Sequence, residues 1–322
     1  MKIAVAPADV KRIGIVGTGV IGCGWAAHFL AQGLDVIATD PHPEAEKRLR
    51  TGIGKYWSAL EELGLADGAS PDRLTFTASF EEALAEADFI QESTPEDESL
   101  KNQIMAAIEK ASLPNVIIAS STSGFMPTKL QAPCQHPERV IVGHPFNPVY
   151  LMPLVEVVGG EKTAPEAIRW AMEFYQHWGK QPLHCRFEIE GHLANRLQAS
   201  ISREMMHLIA DGKATTGELD AALTNGPGLR WALMGTWLTY ALSSGDKDIR
   251  EVLKQDIPTF QLPRSRLVAP EMTDILIGRI ADGTHEQAAG RNIEELELMR
   301  DEFLVGLLKL RANIKTKYSL NY

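Results

Sequence analysis

The sequence has few cysteines, fewer basic than acidic residues and no long apolar run. Its three cysteines, Cys23, Cys134 and Cys185, are odd in number and widely spaced. They therefore predict neither a disulfide framework nor a zinc site, and we expect no metal. The 32 lysines and arginines against 42 aspartates and glutamates leave a net charge of −10. That charge argues against nucleic acid as a partner, because nucleic acid binding needs a cationic face.

No segment of the sequence is typical of a membrane span or of an export signal. A spanning helix needs about 18 consecutive apolar residues, and no such stretch is present, so we expect no membrane partner. The first residues, MKIAVAPADVKR, lack the apolar core and the small-residue cleavage site of a secretory signal. Together with the low cysteine content, these absences predict a reducing, cytoplasmic compartment.

Short Val- and Ile-rich runs alternate with helix-length segments over about the first 185 residues. The runs are Arg12–Gly17, Asp35–Asp40, Leu74–Thr77, Ala87–Glu92, Val116–Ser120, Val140–His144 and Leu154–Val158. The helix-length segments include Ile21–Gln32, Ala45–Leu65 and Ser99–Ala111. This alternation predicts a parallel sheet with helices on both faces.

The pattern changes to purely helical spacing after about Glu188. Apolar residues then recur three or four apart at Leu193, Leu197, Ile201, Met205 and Leu208. A helical stretch also covers Glu294–Lys317. We therefore predict two domains, a cofactor domain over residues 1–187 and an all-α substrate and dimerisation domain over residues 188–322.

A glycine-rich motif follows the first predicted strand directly. It consists of Gly17, Thr18, Gly19, Val20, Ile21 and Gly22, which is G-x-G-x-x-G between a strand and a helix. The glycines allow a tight turn, a close approach of pyrophosphate and close packing of helix on strand. Asp40 ends the next strand without a following Arg or Lys, which favours NAD over NADP. The alternative is a glycine-rich turn without a ligand, which this context makes a minor one.

A histidine at the end of one apolar run is followed by a glutamate inside the next run. His144 lies in Val142–Pro148, and Glu156 follows twelve residues later inside Leu154–Val158. A turn through Pro148 and Pro153 would return Glu156 to His144. Such a pair suits proton abstraction from a hydroxyl, because a carboxylate holds the imidazole tautomer and stabilises the imidazolium. Taken singly, each residue has an ordinary alternative, a packed histidine or a salt-bridging glutamate.

Two further polar groups extend this candidate site. The hydroxyl-rich segment Ile118–Gly124, which contains Ser123, ends a predicted strand, where open parallel sheets bind ligands. Asn195 falls on the helix face opposite the leucine stripe. That face points either to solvent or to a cleft, and the sequence spacing leaves both open.

These motifs together resemble the 3-hydroxyacyl-CoA dehydrogenase family over nearly the whole chain. They are GTGVIG at 17–22, the loop with Ser123, GHPFNP at 143–148, LVEVV at 154–158 and GHLANRL at 191–197. The resemblance implies a Rossmann-type doubly wound sheet followed by an all-α C-terminal domain, NAD as cofactor and a homodimer formed through the helical domain.

The resemblance also implies roles for single residues. His144 is expected to be the general base and Glu156 its partner, while Ser123 and Asn195 hold the reacting oxygen. Asn147 matches a position of the site loop. Glu92, after the fourth strand, matches a cofactor-side acid.

Within the family, the stretches at 120–125, 143–163 and 214–245 resemble the members that oxidise the 3-hydroxyl of L-carnitine. Acyl-CoA enzymes usually carry Asn where this chain has Ser121. The segment Pro41–Ser79 also has five basic against six acidic residues, which is poorly suited to the phosphates of coenzyme A. We therefore expect carnitine as the small-molecule substrate. The alternatives are a short-chain L-3-hydroxyacyl-CoA, L-gulonate, a crystallin-type structural role or a non-catalytic NAD sensor.

A quaternary ammonium substrate is bound best by aromatic faces, and its carboxylate by a bidentate arginine. The candidates are Phe146, Tyr150, Trp231, Trp237 and Tyr240 for the cation and Arg230 for the carboxylate. For each aromatic, a place in the core or in a dimer contact is an equally good interpretation.

Overall fold

A computed structural model describes residues 3–243, 268 and 270–318 of the chain. Eight strands form one sheet in the order β3-β2-β1-β4-β5-β6-β7-β8. Their bounds are β1 Arg12–Val16, β2 Asp35–Thr39, β3 Leu74–Phe76, β4 Phe89–Glu92, β5 Ile117–Ser120, β6 Val140–Pro145, β7 Leu154–Gly159 and β8 Gln181–Cys185. All seven predicted apolar runs become strands, and the central strands β4, β5 and β6 are buried at every residue.

The last two strands depart from the predicted parallel sheet. Strands β1 to β6 are parallel where they pair, but β7 runs antiparallel to β6, and β8 runs parallel to β7. Only eight residues, 146–153, connect β6 to β7. A parallel crossover needs about a dozen residues or more, so the chain reverses instead. The return sets His144 directly opposite Glu156 in the strand register.

Strand β8 was not predicted. Three of its five residues are exposed, and it contains Pro182, so it lacks the apolar pattern that marks the other strands. It pairs at the edge of the sheet, where proline and exposed side chains are tolerated.

Eleven helices lie within the described residues. Those among the strands are α1 Val20–Ala31, α2 Ala45–Leu63, α3 Phe80–Leu84, α4 Glu98–Ala111, α5 Pro127–Gln131 and α6 Pro165–His177. Those after the sheet are α7 Ala194–Ala210, α8 Thr216–Thr224, α9 Pro227–Ser243, α10 Asp274–Ala288 and α11 Ile293–Tyr318. Short 3₁₀ turns occupy Pro7–Asp9, Pro71–Arg73 and Pro137–Arg139. Gly235, at φ 67°, interrupts the regular geometry of α9.

The chain divides by its contacts into two compact units. The first comprises Met1–Asn195 with Asp301–Gly306, and the second comprises Arg196–Arg300 with Leu307–Tyr322. Every regular element described after the sheet is a helix, which confirms the predicted fold class. The domain bounds at 187 and 188 stay a prediction. None of the described helices has the length and apolar content of a membrane span.

Candidate active site

The glycine-rich loop between β1 and α1 is shaped by steric requirements at two of its glycines. Gly17 has φ 86°, and a Cβ there would lie 2.7 Å from the carbonyl oxygen of Ser93. A Cβ on Gly22 would lie 1.9 Å from the Gly17 carbonyl oxygen, whereas a Cβ on Gly19 would meet nothing within 4 Å. No side chain caps the N-terminus of α1. The open space at Gly19 and the uncapped helix start fit the pyrophosphate of a dinucleotide.

Asp40 follows β2 and lies against this loop. Its Oδ2 accepts hydrogen bonds from the N–H of Thr18 at 2.9 Å and from Thr18 Oγ1 at 3.1 Å. Its Oδ1 accepts from the N–H of His42 at 2.9 Å. The backbone thus holds a carboxylate beside the loop, where a carboxylate accepts from ribose hydroxyls.

His144 and Glu156 are in contact, as the turn through the two prolines predicts. His144 Nδ1 lies 2.9 Å from Glu156 Oε2, and both side chains are buried. Glu156 Oε1 also accepts from the N–H groups of Leu193 at 2.8 Å and Ala194 at 2.9 Å. Burial alone raises the pKa of Glu156, but the hydrogen bonds from His144, Ala194 and Leu193 outweigh it and leave that pKa below its usual value. The carboxylate therefore stays ionised at neutral pH.

The contact with Glu156 fixes the tautomer of His144. An ionised carboxylate accepts only, so Nδ1 carries the proton that it donates. Nε2 has no hydrogen-bond partner among the described residues. The ring packs edge-on to Phe146 at 4.7 Å between centroids and lies 5.4 Å from the ring of His192. The arrangement is an imidazole held at Nδ1 by Glu156, with Nε2 as the nitrogen available for proton transfer.

A cavity of about 310 Å³ opens at the carboxyl ends of β4, β5 and β6. His144 and Pro145 line it from β6, and Ser121 and Ser123 line it from the segment after β5. Its further lining comes from Ser93, Thr94 and Glu96 after β4, Lys101 on α4 and Ile21 on α1. The phosphate-loop helix and the histidine therefore share one cavity within the first unit.

Two family models match the chain. The 3-hydroxyacyl-CoA dehydrogenase NAD binding domain matches residues 12–189, and the C-terminal domain of the same family matches residues 191–274. The chain belongs to the 3-hydroxyacyl-CoA dehydrogenase family. As a member with the NAD binding domain, it is an NAD-dependent dehydrogenase with a Rossmann-type sheet and a helical C-terminal domain.

Relatives and solved structures agree with this membership. Proteins named L-carnitine dehydrogenase from Bacillus cereus and Pseudomonas aeruginosa are 52% and 50% identical to the chain. The alignments cover 96% and 98% of this chain and 97% and 98% of those relatives. A crystal structure of 5-formyl-3-hydroxy-2-methylpyridine 4-carboxylic acid 5-dehydrogenase, an NAD⁺-dependent dismutase, has a TM-score of 0.78 at 27% identity. That match covers 94% of this chain and 99% of the solved one.

Within this family member, Ser123 and Asn195 lie together. Asn195 Nδ2 donates to the carbonyl oxygen of Ser123 at 3.3 Å, although Asn195 begins α7 and Ser123 follows β5. Ser123 is exposed and lines the cavity, and Asn195 is half-buried. Their predicted role at the substrate oxygen stays a prediction.

Glu92 lies beneath the cavity and is not part of its lining. Its side chain is fully buried, and Oε1 accepts from Lys101 Nζ at 2.9 Å and from Thr94 Oγ1 at 2.6 Å. Oε2 accepts from Ser120 Oγ. With both oxygens occupied by the protein, Glu92 anchors the chain after β4 and brings the Lys101 ammonium to the cavity wall. A direct contact with the cofactor remains a prediction for this residue.

Several residues at the cavity were missed by the sequence analysis. Glu96 Oε1 accepts from the N–H of Ser123 at 3.0 Å, and its Oε2 lies 3.5 Å from Lys101 Nζ. Neither Glu96 nor Lys101 stands out in the sequence, since charged residues commonly occur at the start of a helix. His192 was overlooked inside the GHLANRL motif, yet it is buried, has φ 48° and faces His144. The available signal for Glu96 was its position shortly after the end of β4, and no signal along the sequence marks Lys101.

The predicted substrate-binding residues lie in different places. Asn147 is exposed and Phe146 is half-buried beside His144. Tyr150 is buried, with one face stacked on Tyr56 at 4.0 Å and its hydroxyl donating to Asp301. The candidates on α9 are Arg230 and Trp237, which are exposed, and Trp231, which is half-buried. The side chain of Tyr240 lies outside the described residues. Contact of any of them with substrate stays a prediction.

Proposed function

We propose that this dehydrogenase oxidises the 3-hydroxyl of L-carnitine to 3-dehydrocarnitine with NAD. The observation that carries the proposal is the buried His144–Glu156 pair opening on the same cavity as the phosphate-loop helix. The choice of substrate is supported by relatives named L-carnitine dehydrogenase that are about half identical over the whole chain.

Bound NAD supplies the acceptor for the hydride that leaves C3 of the substrate. The Nε2 atom of His144 takes the hydroxyl proton, since the bond between Nδ1 and Glu156 leaves Nε2 as the nitrogen available for this step. Glu156 then stabilises the imidazolium, because its own pKa is held low. Ser123 and Asn195 orient the reacting oxygen.

The charge of the substrate agrees with the surface of the cofactor domain. Helix α2 and its flanks, over Pro41–Ser79, carry slightly more acidic than basic residues, and many of them are exposed. Coenzyme A brings several phosphate charges that this segment does not balance. A small substrate with a trimethylammonium group places no such demand and gains from aromatic faces such as that of Phe146.

We further propose a homodimer in the cytoplasm. Large apolar side chains are exposed on helices of the described chain, among them Leu197 on α7, Trp237 on α9 and Phe303 on α11. Burial of such faces between two copies is favourable because it removes apolar surface from water. Sedimentation equilibrium is expected to give twice the chain mass of 35.4 kDa; a monomer would contradict the dimer.

The substrate is tested by measuring NADH formation with L-carnitine, D-carnitine, L-gulonate and 3-hydroxybutyryl-CoA side by side. We expect activity with L-carnitine and much weaker activity with the other three. Activity confined to the CoA ester or to L-gulonate would overturn the substrate and leave the dehydrogenase intact.

The base is tested with His144→Ala. We expect turnover to fall by about 10²–10⁴, since the positioned base supplies a factor of that size. His136→Ala is the matched control, because His136 is an exposed histidine whose ring meets Glu138. Near-normal turnover of His144→Ala with the control unaffected would reject the role.

A further inference from the structure

A buried chain of hydrogen bonds runs beneath the cavity and starts at Tyr175 on α6. The Tyr175 hydroxyl donates to Gln91 Oε1 at 2.6 Å, and Gln91 Nε2 donates to the carbonyl oxygen of Gly143 at 3.2 Å and to Ser121 Oγ at 2.8 Å. A carbonyl oxygen only accepts, so the amide nitrogen must face Gly143 and the amide oxygen must face Tyr175. Burial raises the pKa of Tyr175 well above its usual range, which keeps its hydroxyl proton in place. The orientation of the Gln91 amide is therefore fixed.

The fixed orientation of the Gln91 amide determines which neighbour accepts the hydrogen bond of the Ser121 hydroxyl. Ser121 Oγ receives the N–H of Gln91 and also the indole N–H of Trp25 at 3.2 Å. These two donors occupy both lone pairs of the hydroxyl oxygen. The remaining neighbour is Ser93 Oγ at 2.9 Å. Ser121 must therefore donate its proton to Ser93.

Ser93 is the last member of the chain and lies at the cavity. Its hydroxyl accepts from Ser121, and within the described residues it has no other side-chain hydrogen-bond partner. Its own proton is thus left to donate to a ligand. Ser93 also borders the glycine-rich loop, since a Cβ on Gly17 would lie 2.7 Å from its carbonyl oxygen and a Cβ on Gly22 would lie 3.4 Å from its Cβ.

We propose that Ser93 is a cofactor-binding residue whose hydroxyl, held as a donor by the chain Tyr175–Gln91–Ser121, binds an acceptor oxygen in the nicotinamide half of NAD. The position beside Gly17 and Gly22 assigns it to the dinucleotide, while His144, which lines the same cavity, serves the substrate. The proposal rests on the dehydrogenase activity and not on L-carnitine as the substrate.

The test is direct binding of NADH and of AMP, measured by calorimetry without any substrate. AMP is the adenosine end of the cofactor and lacks the nicotinamide half. Ser93→Ala is expected to weaken NADH by about 2- to 12-fold, the range of one net hydrogen bond, and to leave AMP unchanged. Unchanged NADH affinity, or an equal loss for both ligands, overturns the proposal. An unchanged NADH affinity with a raised KM for L-carnitine also overturns it and assigns Ser93 to the substrate.

The chain behind Ser93 is tested with Tyr175→Phe, which removes one hydroxyl that is not part of the cavity lining. The Gln91 amide loses a donor that fixes it, so NADH affinity is expected to fall and AMP affinity to stay. In the double variant with Ser93→Ala no further loss is expected, because both changes act through the same donor. Additive losses would overturn the relay.

Ser112→Ala is the matched control for these variants. Ser112 is a half-buried serine whose Oγ accepts from Arg139 Nη1 at 3.2 Å, and it does not line the cavity. It is expected to bind both ligands as the parent does. Should the dehydrogenase assay fail with L-carnitine, the NADH and AMP titrations still decide the proposal on Ser93.

Discussion

The Glu156 side chain uses each of its oxygens for a different purpose. Oε2 meets His144, and Oε1 meets the backbone N–H groups of Leu193 and Ala194 at the start of α7. One carboxylate therefore orients the imidazole and also ties the first turn of α7 to the sheet. Burial raises the pKa of Glu156, but these hydrogen bonds lower it by more, so the net shift is downward.

Glu156→Gln separates the two purposes. Its amide oxygen still accepts from Leu193 and Ala194, but the negative charge that stabilises the His144 imidazolium is lost. We expect kcat to fall by about 10²–10⁴, with little change in the melting temperature. Glu166→Gln, at an exposed glutamate paired with Arg169, is the control in the same kinetic and melting assays. A large loss of stability with kcat preserved would contradict this division.

Single residues also show where the sequence was informative. The sequence indicates His144 and Glu156 because His144 ends a Val- and Ile-rich run and Glu156 lies inside another apolar run, so their polar character stands out. Lys101 was missed because it lies on a helix of mixed polarity, and its full burial against Glu92 depends on how α4 packs on the sheet. No spacing rule along one chain reports that contact.

At the scale of elements, the turn between β1 and α1 holds two glycines for different reasons. Gly22 is required by the loop itself, because any side chain there meets the Gly17 carbonyl. Gly19 is free of contact with the protein and has φ −63°, which every residue adopts. Its lack of a side chain leaves space at the N-terminus of α1 for a ligand such as the pyrophosphate of NAD.

The two alanine variants are therefore expected to differ. Gly19→Ala should keep the unfolding free energy within about 0.5 kcal/mol and weaken NADH binding by at least tenfold, since its methyl group occupies the space that the pyrophosphate needs. Gly22→Ala should lose both stability and NADH binding. Urea unfolding and NADH titration of the two proteins check this. Full NADH affinity in Gly19→Ala would place the pyrophosphate elsewhere.

The strands differ in how far the sequence predicts them. Strands β1 to β7 appear in the sequence as short apolar runs, while β8 is largely exposed at the sheet edge and lacks such a run. The sequence predicts the turn that returns Glu156 to His144. It also predicts a parallel sheet, whereas this turn makes β7 antiparallel to β6. Strand direction depends on connection length, and the eight residues 146–153 are too few for a parallel crossover.

At the scale of the whole molecule, a buried lysine links the sheet edge to the first helix. Lys180, just before β8, donates to the carbonyl oxygens of Val149 and Met152, the latter at 3.1 Å, and lies 5.1 Å from the ring of Trp25. It thus holds the connection between β6 and β7. Burial lowers the pKa of Lys180 from 10.5 to about 7.

This pKa predicts how stability changes with pH. Between about pH 7 and the ordinary lysine pKa of 10.5, the unfolded chain binds the proton and the folded chain does not. The unfolding free energy of the parent, relative to Lys180→Met, should therefore rise with pH by about 1.4 kcal/mol per unit in that window. Below about pH 7 the difference should be flat, because Lys180 is charged in both states.

Urea unfolding at a series of pH values measures this difference. Lys162→Met is the control, since Lys162 is exposed and its side chain stays in water in both states. If the unfolding free energy of the parent changes with pH in the same way as that of both variants, Lys180 keeps its proton in the folded protein.

The order of an α/β half and an all-α half was predictable because sheet and helix leave different periods in the sequence. The function of the second half was not predictable, since Arg230 and the aromatic residues of α9 fit equally well as surface, core or ligand contacts. Helical spacing identifies a face and leaves its partner open.

The antiparallel return at β7 makes the distance between acid and base a property of the sheet. His144 and Glu156 are register partners on hydrogen-bonded neighbours, so no loop has to close to assemble them. A slip of one residue would bring Val155 or Val157 opposite the imidazole and turn the carboxylate to the far side. Within the stretch 146–153, the exposed Asn147 can vary without disturbing this pairing. Substitutions elsewhere in the cavity lining can therefore change which alcohol is accepted, while the strand pairing keeps His144 and Glu156 together.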